Sequence, residues 1–166
     1  MYLVNYTPLP DNLLLHTIKE ASKLVGGESD DVLYRFTCSR NDEITGYTVS
    51  LKGAPLRCVN PKGNRKSMSV VPLNGGMVVI KIPIEWLCGT GYGDEANLFT
   101  NELLKGIIHE SSHIRDFQHG IDYSSVYYMK RWKNRPWEIL AMTEENKFVD
   151  FDSNIRRHWL NYFSVV

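Results

Sequence analysis

His109-Glu110-Ser111-Ser112-His113 is the segment of this chain whose residue types and spacing point most directly to chemistry. Two histidines four residues apart lie one turn from each other on a helix, so their imidazoles point the same way. Such a pair can grip one zinc ion, and the intervening glutamate falls beside the bound water as its base. A catalytic zinc takes three protein ligands and keeps a fourth position for water. One more donor is therefore required, and two residues compete for the place.

His119 stands six residues after His113, so HESSHIRDFQH has the spacing of the metzincin motif HExxHxxGxxH, with Asp116 where that family has glycine. The glycine matters because the helix must stop there and turn for the third histidine to swing back. In an uninterrupted helix His119 points about 240° away from His113. Aspartate tolerates a left-handed backbone better than most residues, which keeps His119 in play. Glu138 is the other donor, in Arg135-Pro136-Trp137-Glu138-Ile139-Leu140-Ala141.

With HESSH upstream and Pro136 to Ala141 downstream, the sequence resembles the gluzincin metallopeptidases. In that family an HExxH helix is followed by a connecting segment and a second helix bearing ExxA or a similar glutamate motif. The resemblance implies Glu138 as third zinc ligand, in preference to His119, with a small residue one turn later allowing close helix contact. It also implies a zinc (Zn2+) metallopeptidase that hydrolyses peptide bonds in a protein or peptide substrate. Glu110 would take the proton of the attacking water and later deliver it to the leaving amine. Tyr123, Tyr127, Tyr128, Arg131 and His158 are available as oxyanion donors, although clustered tyrosines commonly only pack. Edge strands in such enzymes bind the peptide by sheet addition, and Met77 to Ile82 is the strand expected to do so.

These residues need elements to hold them. Asn97 to Gln118 reads as one long helix, with Gly120 as its C-terminal cap. On a helical wheel Leu103, Leu104, Ile107, Ile114 and Gln118 form one face, apolar except for the last. His109 and His113 fall opposite, with Glu102, Gly106 and Asp116. The histidines thus lie off the core stripe, Gly106 leaves room beside a metal, and Asp116 is placed to orient an imidazole. The plainer alternative is a solvated face with two incidental histidines. A second helix opens at Pro136, with Asn134 as its cap, and runs through Phe148; a break at Asp152-Ser153 precedes a last helix ending near Phe163.

Upstream, Asp11 is placed to cap a helix in which Leu14, Ile18, Ala21 and Val25 recur at helical spacing, closed by Gly26-Gly27; His16 reads as a surface residue. From Asp31 to Pro83 short extended runs follow: Val32 to Phe36, Ile44 to Leu51, Met68 to Leu73 and Met77 to Ile82. Asn74-Gly75 between the last two is a hairpin signal. The expectation is α+β: a small, mostly antiparallel sheet followed by the HExxH helix and C-terminal helices, in one zincin-like domain spanning residues 1–166.

Composition narrows the function. The 166 residues are 43% hydrophobic and 23% charged, enough to build a core. Nineteen basic residues balance nineteen acidic ones, so no overall field draws in nucleic acid or an anionic membrane, and PKGNRK reads as a solvated loop. Cys38, Cys58 and Cys88 lie far apart, which speaks against a disulfide framework or a cysteine zinc site. The absence of the Pro-Cys-x-x-Cys half also removes a zinc nucleobase deaminase. CGTGYGDE lacks the Gly-Lys-Ser/Thr ending of a phosphate loop. With neither a signal-peptide pattern nor a membrane-length apolar run, the expected compartment is the cytoplasm. Against the peptidase stands a non-catalytic, zincin-like interaction or regulatory module; the intact Glu110 favours the enzyme, since a structural site has little use for it.

Overall fold

The computed structural model of the chain describes residues 1–30, 32–39, 48–51, 54–57, 68–71, 77–83, 95–121 and 135–165. Strand β1 (Tyr2–Asn5), helix α1 (Asp11–Val25) and strand β2 (Leu33–Ser39) open it as a parallel β-α-β unit. Strands β3 (Thr48–Leu51) and β4 (Ala54–Arg57) form a separate antiparallel pair. Strand β5 (Met68–Val71) and strand β6 (Met77–Pro83) complete the main sheet, whose order is β1-β2-β6-β5. Then come helix α2 (Glu95–Gln118), helix α3 (Pro136–Glu144), a 3-10 segment (Glu145–Asp150) and helix α4 (Ser153–Val165).

The α+β class holds, but the mostly antiparallel sheet does not. β1, β2 and β6 run parallel, and only the edge strand β5 runs against its neighbour. The cause is α1, which carries the chain back over the sheet between β1 and β2, a connection that parallel neighbours require. Consistent with that position, residues 32–37 are all buried, and Val78, Val79, Ile80 and Ile82 are fully buried in β6. Parallel strands covered on both faces read as near-continuous apolar runs and do not alternate. The hairpin expected around Asn74-Gly75 is present as β5 pairing with β6, Val71 opposite Met77; its connection, 72–76, lies outside the described residues. β6 is flanked on both sides, so Met77 to Ile82 cannot accept an added strand.

Helix boundaries follow local chemistry. Asp11 is not the cap of α1 but its first residue; Pro10 occupies the cap, and Asp11 Oδ1 accepts a hydrogen bond from Asn5 Nδ2 at 2.7 Å. Gly26 takes the left-handed backbone (φ 74°) that ends α1, with Gly26 N–H donating to Lys23 O and Gly27 N–H to Ser22 O. The same paired pattern closes α2 at Gly120 (φ 80°), where Gly120 N–H donates to Phe117 O and Ile121 N–H to Asp116 O. Pro136 opens α3 behind an extended Arg135 at the cap position; Asn134 lies outside the described residues. Asp152 Oδ1 receives the Asn154 N–H at 2.7 Å and starts α4.

One core draws on β2, β6, α1, α2 and α4. Trp159 of α4 is fully buried, stacks on Phe163, and donates from Nε1 to Thr17 Oγ1 of α1 at 2.8 Å. Thr17→Val would leave that indole N–H buried without an acceptor. Urea unfolding should show a loss of about 1–3 kcal/mol; an unchanged midpoint would contradict the role given to this bond.

Candidate metal centre

α2 contacts α1, α3, the 3-10 segment, α4 and β5. Every residue from Ile107 to Ile114 is buried as a result. The apolar stripe faces the core as expected, but the opposite side is not a solvated face, because α3 and the 3-10 segment cover it. His109 and His113 are only 7% and 8% exposed. The two serines inside the motif serve this packing. Ser112 Oγ donates to His109 O at 2.7 Å, and Ser111 lies near the buried Tyr34 hydroxyl of β2. Small hydroxyl side chains let α2 lie close to its neighbours, and Ser112 satisfies its own hydroxyl on the helix backbone.

On the covered side, three ligand atoms converge. His109 Nε2 and His113 Nε2 are 3.1 Å apart; Glu138 Oε2 lies 2.9 Å from the first and 3.3 Å from the second. The imidazoles meet at 84° with centroids 4.8 Å apart. With metal–nitrogen bonds of the usual length, the edge of a coordination tetrahedron around zinc is about 3.3–3.4 Å. The observed triangle matches one face of such a tetrahedron to within a few tenths of an ångström. Among the described residues, His109, His113 and Glu138 are the group that could hold a metal ion, and all three are buried.

His109 has a second acidic partner that the sequence did not reveal. Glu145 Oε1 lies 2.8 Å from His109 Nδ1. A proton on Nδ1 donated to Glu145 leaves the Nε2 lone pair facing the other two ligand atoms, the tautomer a metal requires. The only sequence signal was Glu145 itself, two turns past Glu138. Asp116, expected to orient an imidazole, is paired through Oδ1 with Arg115 Nε and Nη2 at 3.1 and 3.0 Å.

The charges explain how this cluster is tolerated in the interior. Burial opposes the imidazolium of His109, but hydrogen bonds to Glu138 and Glu145 and the charges of Glu110 and Glu138 outweigh it, holding the pKa up at about 10. Burial likewise opposes the Glu138 carboxylate; the hydrogen bonds and charges of the two histidines win and bring it down to about 2. Without metal, a shared proton satisfies the cluster. With metal, the cation takes the proton's place.

His119 takes no part. α2 continues through Asp116 without a turn, and His119 N–H bonds back to Arg115 O and Asp116 O at 3.0 and 3.1 Å, leaving its side chain exposed. The metzincin arrangement is therefore excluded by the backbone. His158 is exposed on α4, its Nδ1 2.7 Å from Asn154 O. Tyr123, Tyr127, Tyr128 and Arg131 lie outside the described residues. Glu110 is 4% exposed and close enough for its charge to act on His109.

A cluster of charges ties the far end of α3 to α1 and α2. Arg115 Nη1 donates to Val25 O at 3.0 Å and pairs with Glu144 at 3.6 Å; Lys147 Nζ donates to Leu24 O at 3.2 Å and pairs with Glu144 at 2.7 Å. Two cations thus meet the carbonyl end of α1, where they are favoured, with Glu144 between them.

Comparison with known protein families, curated proteins and solved structures finds no match. The donor set is itself the ground for assigning function.

Metal content of the purified protein should be about one ion per chain, retained in His119→Ala and lost in Glu138→Ala. Loss in His119→Ala alone would contradict the assignment. Glu145→Ala should weaken metal affinity by about 10- to 100-fold. Because metal must displace the His109 proton, affinity should climb as pH rises from 6.5 toward about 10. Binding at neutral pH should release about one proton, read by calorimetry in buffers of different ionisation enthalpy; proton-neutral binding would contradict the raised His109.

Proposed function

We propose that the chain is a zinc-dependent metallopeptidase of gluzincin type, with His109, His113 and Glu138 as metal ligands and Glu110 as general base. The observation that carries this reading is an intact Glu110 between two histidines whose Nε2 atoms converge on a carboxylate from a second helix. Two imidazoles and one carboxylate form a three-ligand set that suits zinc at an open catalytic site better than harder or softer metals. Zinc bound there would supply Lewis acidity, lowering the pKa of a water and polarising a substrate carbonyl. The Glu110 carboxylate takes the proton of the attacking water and passes it to the leaving amine. Glu145 holds the His109 ring in the tautomer that frees Nε2.

The sheet supports a peptide substrate. β5 is its outer strand on one side, antiparallel to β6 and in contact with α2. An extended peptide adding to that edge would run along the helix that bears the histidines. No helix among the described residues is long and apolar enough to cross a membrane.

A second reading is favoured by one observation: the ion pairs of Glu138 with both histidines can satisfy the cluster with protons alone. A non-catalytic interaction module would keep this buried pair as a structural device. The readings separate on cleavage of a fluorescence-quenched peptide library by zinc-loaded protein. Glu110→Gln should keep its zinc and lose about 10²- to 10⁴-fold in turnover. No cleavage by the loaded wild type, or equal cleavage by Glu110→Gln, would leave the module reading.

A further inference from the structure

His109, His113 and Glu138 are 7%, 8% and 6% exposed, so an ion that binds them needs a way in. One of the walls around the cluster has to yield. α2 is the first wall, and it is fixed: Leu103, Leu104, Ile107 and Ile108 are fully buried in the core it shares with α1, α4 and the sheet. Shifting α2 would open that core to water. α3 is the wall on the other side.

α3 is held far more lightly. Among the described elements its substantial packing is with α2 and with its own 3-10 continuation, whereas α1 and α4 pack on α2 and also on each other. Of its nine residues only Trp137, Glu138 and Ala141 are buried, and Ile139 and Leu140 are about half exposed. A helix of this length is marginal on its own. Much of its hold among the described residues is therefore polar, with Glu138 against the histidines near one end and Glu144 at the other. Glu144 pairs with Arg115 of α2 at 3.6 Å and with Lys147 at 2.7 Å, and Lys147 donates to Leu24 O at the end of α1. Elements with few buried apolar contacts are the ones that open locally while the rest of a fold stays intact.

We propose that α3 is the gate of the metal centre. It moves off α2 as a unit, taking Glu138 away from the histidines, and its return supplies Glu138 as the last ligand. Closing the gate and completing the donor set are then one event. The cluster of Glu144, Arg115 and Lys147 is the latch that sets how often the gate opens. The gate rests on the metal-centre reading and requires neither catalysis nor Glu110. It also has a kinetic signature. A weaker latch favours the open form with and without the ion alike, so uptake and release quicken together and affinity holds. A change to a ligand or its direct partner instead alters affinity.

The test is stopped-flow measurement of zinc uptake by the metal-free full chain, read with a colorimetric zinc indicator, and of zinc release into excess EDTA. Lys147→Met cuts the latch without touching a ligand. Both rates should rise by about 3- to 10-fold, with Kd unchanged to within about twofold. Arg157→Gln, on α4 and bonded there to Asn154, should change neither rate. Hydrogen–deuterium exchange of the metal-free wild type gives a readout free of any substitution: α3 amides should exchange about tenfold or more faster than those of α2 and α4. Faster release with unchanged uptake, unchanged rates in Lys147→Met, or α3 amides as protected as those of α2 would each overturn the gate. Failure of the wild type to take up zinc would overturn the metal centre and the gate together; zinc uptake indifferent to the latch would overturn the gate alone.

Discussion

A carboxylate and two imidazoles held in the protein interior, each within hydrogen-bond distance of the others, is the constraint around which the rest of this structure is arranged. Lone pairs on His109 Nε2, His113 Nε2 and Glu138 Oε2 cannot face one another at 2.9–3.3 Å unless a cation lies among them. A proton meets that need in the metal-free protein, and a bound metal ion could meet it instead. Burial raises the stakes, because removing water strengthens each interaction and makes an uncompensated charge costly. The cluster is thus a demand on the fold, and its three donors could hold a metal ion.

The fold meets this demand by bringing two segments of the last third together. α2 presents the histidines, and α3 with its 3-10 extension presents Glu138, Glu144 and Glu145. The three acids play different parts. Glu138 faces the Nε2 atoms, Glu145 holds the back of the His109 ring, and Glu144 joins Arg115 and Lys147 at the end of α1. The close approach of Gly27 to Arg115, where a Cβ would sit 3.1 Å from the arginine Cβ, brings that end of α1 against α2. Lys105 and Arg156 both lie over the Phe148 ring, linking the 3-10 segment to α2 and α4. Nearly all of this is side-chain packing between helices, which short-range sequence patterns do not encode.

That division explains which features were legible in the sequence. The histidine spacing, the glycine stops at Gly26 and Gly120, and the β5–β6 hairpin are local or depend on helical geometry, and they could be read from residue order; Glu138 entered through the family resemblance, and the fold sets it beside the two histidines. Parallel pairing could not, since an apolar run such as Val32 to Phe36 looks the same in a parallel or an antiparallel sheet; the partner is set by where α1 returns the chain. β1 was missed because four residues before Pro8 and Pro10 carry too little periodicity to mark a strand. The wheel placed the histidines opposite the core stripe but could not show that α3 covers them. Glu145 resembled any other acid on a helix until the fold set it against His109 Nδ1.

Zinc K-edge X-ray absorption on the zinc-loaded chain tests the central claim most directly. The predicted first shell contains nitrogen and oxygen donors at about 2.0–2.2 Å, with outer-shell scattering from two imidazoles. A sulfur donor near the zinc–thiolate distance of about 2.3 Å, or a shell with no imidazole signature, would contradict a His109–His113–Glu138 centre.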